Sequence, residues 1–204
     1  MKRLLSILLP LVFLTTARLL ADTETIIFIR HGEKDPTTEV GQINAKGLNR
    51  ALALPDVLIG KFKEPQFIFA PGEADKIQNY KSGAYYTYLR PLATIEPTAI
   101  RLGMPINTQF GFHHVAEFEA ELLKDQYRNA TIFVAWEHHE LLNIVKKLLS
   151  DLGATAEVPE WPKDDFDSIF VVTVQSTDGK RTAEFKIDHE GITPAEAFPT
   201  PAKP

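Results

Sequence analysis

Two apolar stretches of this sequence run directly into histidines. Residues 25–29 are β-branched or aromatic, as in a buried strand, and Arg30 and His31 follow them at once. Residues 131–136 form a second such stretch, and His138 comes two positions after it. Because the carboxyl ends of parallel strands lie at one edge of a sheet, where ligands bind in open α/β folds, we expect the two histidines to meet there.

A second arginine is expected at the same edge. Arg90 opens a predicted helix over residues 90–102, which comes after another short apolar strand, residues 66–70. Guanidinium groups bind phosphate oxygens through paired hydrogen bonds, and the N-termini of helices attract anions. Two arginines, two histidines and helix N-termini at one edge therefore predict a pocket for a dianion.

The elements that must position these residues alternate between strand and helix. The other predicted helices run from Asn44 to Gly60, from 115 to 127 and from about His139 to Gly153. This alternation predicts a single α/β domain, a three-layer α/β/α sandwich with a mainly parallel central sheet. A last strand, residues 168–175, is predicted to form a C-terminal β-hairpin with residues 182–187. Residues 104–107 are predicted to be a short edge strand, and residues 72–89 give no clear pattern.

The composition restricts the class of protein. The 204 residues suit one domain, and the absence of cysteine excludes disulfides, thiolate metal sites and cysteine nucleophiles. The net charge of −5 argues against a nucleic-acid partner.

The two ends of the chain differ from the middle. Residues 1–21 have basic residues, then an apolar run, then short side chains, which predicts a secretory signal peptide and an exported protein, periplasmic or secreted. Its removal would take away Lys2, Arg3 and Arg18 and no acid, which changes the net charge from −5 to −8. No stable membrane insertion is expected after cleavage. The domain is assigned to residues 22–192, and residues 193–204, rich in proline, are predicted to be disordered.

Three short blocks carry a resemblance to a known family: Arg30-His31-Gly32 after the first strand, Arg90 with Thr94 four residues later, and a histidine after a buried strand. In this combination the chain resembles the histidine phosphatase superfamily, which has the phosphoglycerate-mutase-like fold. Two features depart from the family pattern. Trp136-Glu137-His138-His139-Glu140 stands where many members have a glycine or small residue after the histidine, and the tyrosine-rich residues 72–89 form an insertion that is expected to cover the mouth of the pocket.

The resemblance implies a role for each matching residue. His31 would be the nucleophile that becomes a phosphohistidine, while Arg30 and Arg90 would bind the phosphoryl oxygens. His138 would complete the pocket; it is preferred to His139 because it lies nearer the end of the strand. We call Arg30, His31, Arg90 and His138 the phosphate cradle. The implied chemistry requires no cofactor and no metal.

The acid that would protonate the leaving group stays open at this point. Glu137 is included among the catalytic candidates because it is adjacent to the cradle in sequence, and Glu73, Glu117 and Glu119 are alternatives. Lys34 either adds charge to the pocket or lies at its edge. The histidine pair at 113–114 is not expected to bind a metal, because adjacent side chains point in different directions.

The predicted function is hydrolysis of a small phosphomonoester through a phosphohistidine. A phosphoryl-transfer mutase is a rival, which export disfavours because such metabolic substrates are cytosolic. A non-catalytic protein that binds phosphate or phosphorylated ligands in the same pocket is the alternative from another class. The sequence does not define the substrate.

Overall fold

The computed structural model of the protein describes residues 22–73 and 75–200, so the predicted signal peptide lies outside the described residues. Within these ranges the chain forms seven strands and four α-helices. Their bounds, in chain order, are β1 Asp22–Arg30, α1 Ala45–Phe62, β2 Phe67–Phe69, β3 Lys76–Gln78, β4 Tyr85–Thr87, α2 Arg90–Leu102, α3 Val115–Leu122, β5 Thr131–Trp136, α4 His138–Asp151, β6 Ser168–Thr177 and β7 Lys180–His189.

Five of these strands form one mixed sheet in the order β2, β5, β1, β6, β7. β5 lies between β2 and β1 and is parallel to both, whereas β6 is antiparallel to β1 and to β7. The β6–β7 hairpin turns at Asp178 and Gly179, which both have positive φ, as a two-residue hairpin turn of this kind requires. The predicted parallel core and C-terminal hairpin are therefore confirmed.

Helices cover both faces of the sheet. Ile27 and Ile29 of β1 pack in one apolar cluster with residues of α1 and α2. Ile26 and Phe28 face the other way, into a cluster with residues of α3 and α4. Successive side chains of a strand point to opposite faces, so a strand covered on both sides is apolar throughout. This arrangement is the predicted three-layer α/β/α sandwich.

The first helix packs closely against the end of β1. The Asn44 side chain caps α1 by accepting a hydrogen bond from Gly47 N at 2.9 Å. A Cβ at Gly47 would lie 2.4 Å from the backbone oxygen of Glu33, so only glycine permits this approach. The predicted end of α1 at Gly60 is wrong. A single glycine weakens a helix without ending it. The helix α1 continues to Phe62 and ends there because the next residue, Lys63, has a non-helical φ of 68°.

Two other sequence boundaries also change. The helix predicted over residues 115–127 ends at Leu122, and a short 3-10 turn, Asp125–Tyr127, follows it. The edge strand predicted at residues 104–107 is reduced to one bridge between Phe69 and Asn107. Residues 72–89, which had no clear pattern, contain the separate β3–β4 hairpin.

The chain after β7 runs alongside α1. Asn49 Nδ2 donates to the carbonyl oxygens of Ala195 at 2.8 Å and Ala197 at 2.6 Å, and Lys46 Nζ lies 2.8 Å from Glu196 Oε1. Disorder of the tail stays a prediction. Within the described part of the chain, no helix combines the length and the apolar character needed to cross a membrane.

Candidate active site

Backbone and hydroxyl hydrogen bonds bring the three sequence blocks together. The backbone N–H of His31 donates to Trp136 O at 3.1 Å, which places the ends of β1 and β5 side by side. The N–H of Gly32 donates to Thr94 Oγ1 at 2.8 Å, and that hydroxyl donates to Arg90 O at 2.8 Å. Thr94 therefore ties the first turn of α2 to the turn that carries His31.

The ring of His31 is buried and oriented by its own neighbour. His31 Nδ1 lies 2.8 Å from Gly32 O. Because a carbonyl oxygen only accepts, Nδ1 must carry the hydrogen, which leaves the lone pair on Nε2. Burial lowers the pKa of His31 to about 3, and the charges of Arg90 and Arg30 contribute to this lowering. The imidazole is therefore neutral at physiological pH, as a nucleophile must be.

Arg30 is held by a loop that comes much later in the chain. Its Nη1 donates to the backbone oxygens of Lys163 at 2.9 Å and Asp165 at 2.8 Å, with a longer bond of 3.3 Å to Pro162 O. Its Cζ lies 4.0 Å from the centre of the Phe166 ring. These contacts fix one edge of the guanidinium group without neutralising its charge.

Arg90 is held by different partners. Its Cζ lies 5.1 Å from the centre of the Tyr88 ring, and its Nη2 contacts the carboxylate of Glu39. The second oxygen of that carboxylate contacts Lys34 Nζ. Glu39 thus bridges two cations, and Lys34 belongs to the edge of the pocket.

Glu137 caps α4. Its Oε2 accepts hydrogen bonds from the backbone N–H groups of His139 at 2.8 Å and Glu140 at 3.0 Å. Burial alone would raise the pKa of Glu137, but the adjacent His138 ring and the N–H of Glu140 outweigh it and lower the pKa to about 2. Glu137 is therefore ionised, and its charge raises the pKa of Arg30, His31 and Arg90. This geometry favours a helix cap over a proton donor.

His138 is buried and His139 is exposed, which favours the first as the pocket histidine. His138 Nδ1 lies 2.5 Å from Glu137 Oε1, although the contact lacks the angles of a hydrogen bond. Trp136, the residue that departs from the family pattern, is part of the core: its ring stacks on Phe118 at 4.5 Å, and its Nε1 donates to Phe112 O.

Polar atoms without partners are concentrated in this region. Ten buried side-chain nitrogen or oxygen atoms of the described residues have no hydrogen-bond partner, and half of them belong to four residues of this site. They are Arg30 Nε, Arg90 Nε, Tyr88 OH and both ring nitrogens of His138. Buried polar atoms in native proteins nearly always have partners, so such a cluster indicates a polar ligand. Three of them, the two arginine Nε atoms and the Tyr88 hydroxyl, can donate hydrogen bonds at once, as an anion with several oxygens requires.

The remaining candidates from the sequence do not contact the cradle. Glu119 is buried on α3 and lies 3.5 Å from Lys147 Nζ, while Glu73 and Glu117 are exposed. His113 Nδ1 lies 3.0 Å from Glu140 Oε1 on the surface.

One cluster of potential metal ligands occurs among the described residues. Ligand atoms of Glu137, His138 and His139 lie within 4.8 Å of one another. One carboxylate oxygen of Glu137 already accepts two backbone hydrogen bonds, so a metal ion would have to share that ligand with the helix cap.

Comparison with known proteins supports the fold and not the details. Among solved structures, the chain is similar to one from Nakamurella multipartitia that is assigned as phosphohistidine phosphatase SixA. The TM-score is 0.52 at 15% identity, over 82% of this chain and 96% of that one. A mycobacterial glucosyl-3-phosphoglycerate phosphatase matches with a TM-score of 0.49 at 12% identity, over 81% of this chain and 97% of that one. No family model and no curated protein matches the sequence.

The first of these likenesses shows that the chain shares the fold of that structure, which is consistent with the predicted phosphoglycerate-mutase-like fold. The roles of Arg30, His31, Arg90, His138 and Glu137 stay predictions, although the structure brings these residues together at the expected edge of the sheet.

Two parts of the site were not found from the sequence. Glu39 lies in a polar loop with no motif, and nothing local indicates that it reaches Arg90. Residues 162–166, which hold Arg30, have no regular secondary structure, so no periodic pattern could place them. Tyr88, at the end of the tyrosine-rich residues 72–89, lies next to both Arg90 and His31.

Proposed function

We propose that this protein is a phosphomonoesterase in which His31 attacks the phosphorus atom of a small phosphorylated substrate. The observation that carries the proposal is the state of His31. A neutral imidazole has its Nδ1 hydrogen bound to Gly32 O and its Nε2 lone pair free, in a setting where both arginine charges act on it. A solvent-exposed histidine would have neither the fixed tautomer nor the lowered pKa.

The reaction takes place in two steps. Nε2 of His31 forms a bond to phosphorus while the bond to the ester oxygen breaks, which gives a phosphohistidine and the free alcohol. Water then attacks the phosphohistidine, the phosphorus–nitrogen bond breaks, and inorganic phosphate leaves. Arg30 and Arg90 neutralise the charge on the phosphoryl oxygens in both transition states. The unpartnered hydroxyl of Tyr88 supplies a further hydrogen bond to the same oxygens, and the buried His138 ring completes the pocket.

The size of the neighbouring cavity supports a small substrate. A cavity of about 470 Å³ is lined by Glu39, residues 36–37 and residues 79–81. This volume lies in the range of small-molecule sites. Glu39 contacts Arg90, so the cavity lies next to the phosphate cradle and suits the alcohol part of the ester.

The test is hydrolysis of 4-nitrophenyl phosphate by the wild-type protein and by His31→Ala. We expect turnover by the wild type and a loss of roughly 10³-fold or more in the variant, about 4 kcal/mol of transition-state stabilisation. Acid-labile, base-stable ³²P labelling would fit a phosphohistidine, whereas an aspartyl phosphate is expected to be labile in base.

A suitable control is His189→Ala, since this exposed histidine lies at the end of edge strand β7. It should keep wild-type turnover. Unchanged activity of His31→Ala, or phosphate binding by the wild type with no turnover of any phosphoester, would contradict the proposed function and favour a binding protein.

A further inference from the structure

The proposed reaction needs a proton donor that the sequence candidates do not supply. An alkoxide is a poor leaving group, so the ester oxygen must receive a proton as its bond to phosphorus breaks. Glu137 is ionised and caps α4, and Glu119 of α3 pairs with Lys147 of α4. Glu73 and Glu117 are exposed and make no contact with the cradle among the described residues. The acid must therefore come from elsewhere in the site.

Glu39 is the carboxylate that contacts an arginine of the cradle in the described part of the chain. One of its oxygens contacts Arg90 Nη2 and the other contacts Lys34 Nζ, and only 18% of the side chain is exposed. A carboxylate presents two oxygens to a guanidinium group in the same way as a phosphoryl group does. Glu39 thus occupies a position on Arg90 that a phosphoryl group of the substrate would take.

Arrival of the substrate changes the surroundings of Glu39. The phosphoryl dianion replaces Glu39 on Arg90, so the carboxylate loses a positive partner and gains a negative neighbour. Both changes favour the neutral, protonated form of a carboxyl group. Glu39 is carried by the loop between β1 and α1, which can turn this side chain aside without moving the sheet or the helices.

The displaced side chain is also on the correct side of the phosphorus atom. Glu39 lines the cavity of about 470 Å³ whose other wall is formed by Asn79, Tyr80 and Lys81 at the tip of the β3–β4 hairpin. The leaving alcohol must lie in a space that adjoins the cradle. Glu39 is the residue that belongs both to the contacts of Arg90 and to this cavity wall.

We propose that Glu39 is the general acid and general base of the reaction, which rests on the phosphomonoesterase function proposed above. As Nε2 of His31 bonds to phosphorus, the electron pair of the breaking phosphorus–oxygen bond stays on the ester oxygen, which takes the proton of Glu39. In the second step the Glu39 carboxylate takes a proton from the attacking water. The phosphorus–nitrogen electron pair returns to Nε2, phosphate leaves, and Glu39 is protonated again.

The test compares two substrates of similar shape, 4-nitrophenyl phosphate and phenyl phosphate, in Glu39→Gln. Phenol is the weaker acid, so its departure depends more on protonation. We expect kcat/KM to fall by roughly 10²-fold or more for phenyl phosphate and by less than about tenfold for 4-nitrophenyl phosphate. The ratio kcat/KM reports only steps up to release of the alcohol, so the slower second step does not disturb it.

A second measurement follows the base role. In a rapid-mixing experiment, Glu39→Gln should release one equivalent of 4-nitrophenol per site in a burst and then turn over slowly, because water is no longer deprotonated. Phosphohistidine should accumulate during the slow phase. Glu39→Asp, which keeps an acid, should recover part of the activity on phenyl phosphate.

The matched control is Glu137→Gln, which removes another carboxylate of the site without removing the proposed acid. It should lower kcat/KM for the two substrates by similar factors. If Glu39→Gln lowers both by one factor, or lowers neither, Glu39 is not the acid. Failure of the function itself has a different signature, since His31→Ala would then keep activity or the wild type would hydrolyse neither ester.

Discussion

Arg30 is secured by the backbone carbonyls of residues 162–165, whereas Arg90 is secured on its Nη2 by the carboxylate of Glu39. Carbonyl oxygens are neutral and belong to the fold, so no ligand can take their place. A carboxylate is an anion on a loop, and an incoming phosphoryl group can replace it. In the proposed mechanism the Arg30 side of the pocket is therefore a fixed anchor, whereas the Arg90 side exchanges Glu39 for a phosphoryl group.

This difference bears on how the site holds two buried arginines close together. Burial lowers the pKa of each arginine, and Glu137 opposes the lowering on both. On the Arg90 side, Glu39 supplies a further negative charge as long as the phosphoryl position is free. If both arginines were fully neutralised by fixed partners, the site would attract a dianion only weakly. Because Glu39 can be replaced, the proposed site keeps the charge of Arg90 for binding a phosphoryl group.

The largest effects are expected when each arginine is removed in turn, which tests whether the two sides of the pocket differ. Arg30→Ala and Arg90→Ala should each lower kcat/KM by roughly 10²–10³-fold, because each removes a charged donor from the transition state. Only Arg30→Ala should also lower the free energy of unfolding, by about 2–4 kcal/mol, since backbone carbonyls lose their donor. Arg90→Ala should change it by less than about 1 kcal/mol. Activity assays and urea unfolding of both variants measure the two effects.

Equal losses of stability in the two arginine variants would show that both sides are structural, and the distinction between anchor and exchange site would be wrong. Lys163→Ala serves as a control, because it shortens a side chain of the loop and keeps the backbone oxygen that Arg30 uses.

A smaller effect on activity is expected at Thr94, which joins the turn after Arg30 and His31 to the first turn of α2. Thr94→Val keeps the shape of the side chain but removes the hydroxyl that bonds Gly32 N and Arg90 O. We expect kcat to fall by about tenfold, since His31 and Arg90 lose their fixed relation, and stability to fall by about 1–3 kcal/mol for the buried N–H left without an acceptor.

Thr98→Val is the matched control for this change. Thr98 lies one turn further along α2, it is fully buried, and its hydroxyl has no hydrogen-bond partner among the described residues. The same substitution there should leave activity unchanged and stability equal or slightly higher. A similar loss of activity in both valine variants would refute the role assigned to Thr94.

The smallest expected effect concerns the charge state of His31 between the two arginines. A histidine with the ordinary pKa near 6.5 would be mostly protonated at pH 5, where only about one molecule in 30 would keep the neutral ring. Because burial is the first cause of its pKa of about 3, His31 should stay neutral from pH 7 to pH 5, and it should stay so in Arg90→Ala. The ring carbon-bound proton signal of His31, assigned by its absence in His31→Ala, should not shift over this range in an NMR titration.

The same pKa has a consequence for stability. The unfolded chain binds a proton to His31 near pH 6.5, and the folded protein does so only near pH 3. Stability from this group is therefore lost as the pH falls through that window, at up to about 1.4 kcal/mol per pH unit. Titration of the His31 signal near pH 6.5 would contradict both expectations.

The sequence alone predicts those parts of the molecule that follow a local pattern of side chains. Residues 25–29 and 131–136 are apolar because β1 and β5 are covered on both faces, and that pattern is visible without the fold. The meeting of His31 with Glu137 and His138 followed from parallel strand ends. The capping of α1 by Asn44 followed from the chemistry of its side chain.

The remaining parts depend on contacts between distant segments. Glycine often follows the last residue of a helix, yet α1 continues past Gly60 and ends at Phe62, with Lys63 as its C-cap. Glu137 is adjacent to the site in sequence, yet its carboxylate turns back to cap α4. The contact of Glu39 with Arg90 joins two loops that share no motif, so only the folded chain shows it.

The late position of the loop that holds Arg30 also affects when the site is completed. Asp165, whose carbonyl accepts from Arg30, is made 135 residues after it. At 5–20 residues per second, synthesis of that interval takes roughly 7–27 seconds. A growing chain thus carries the histidine and its neighbouring arginine for this time without the anchor that fixes the guanidinium group. The pocket is therefore complete only after residues 162–165 have been made.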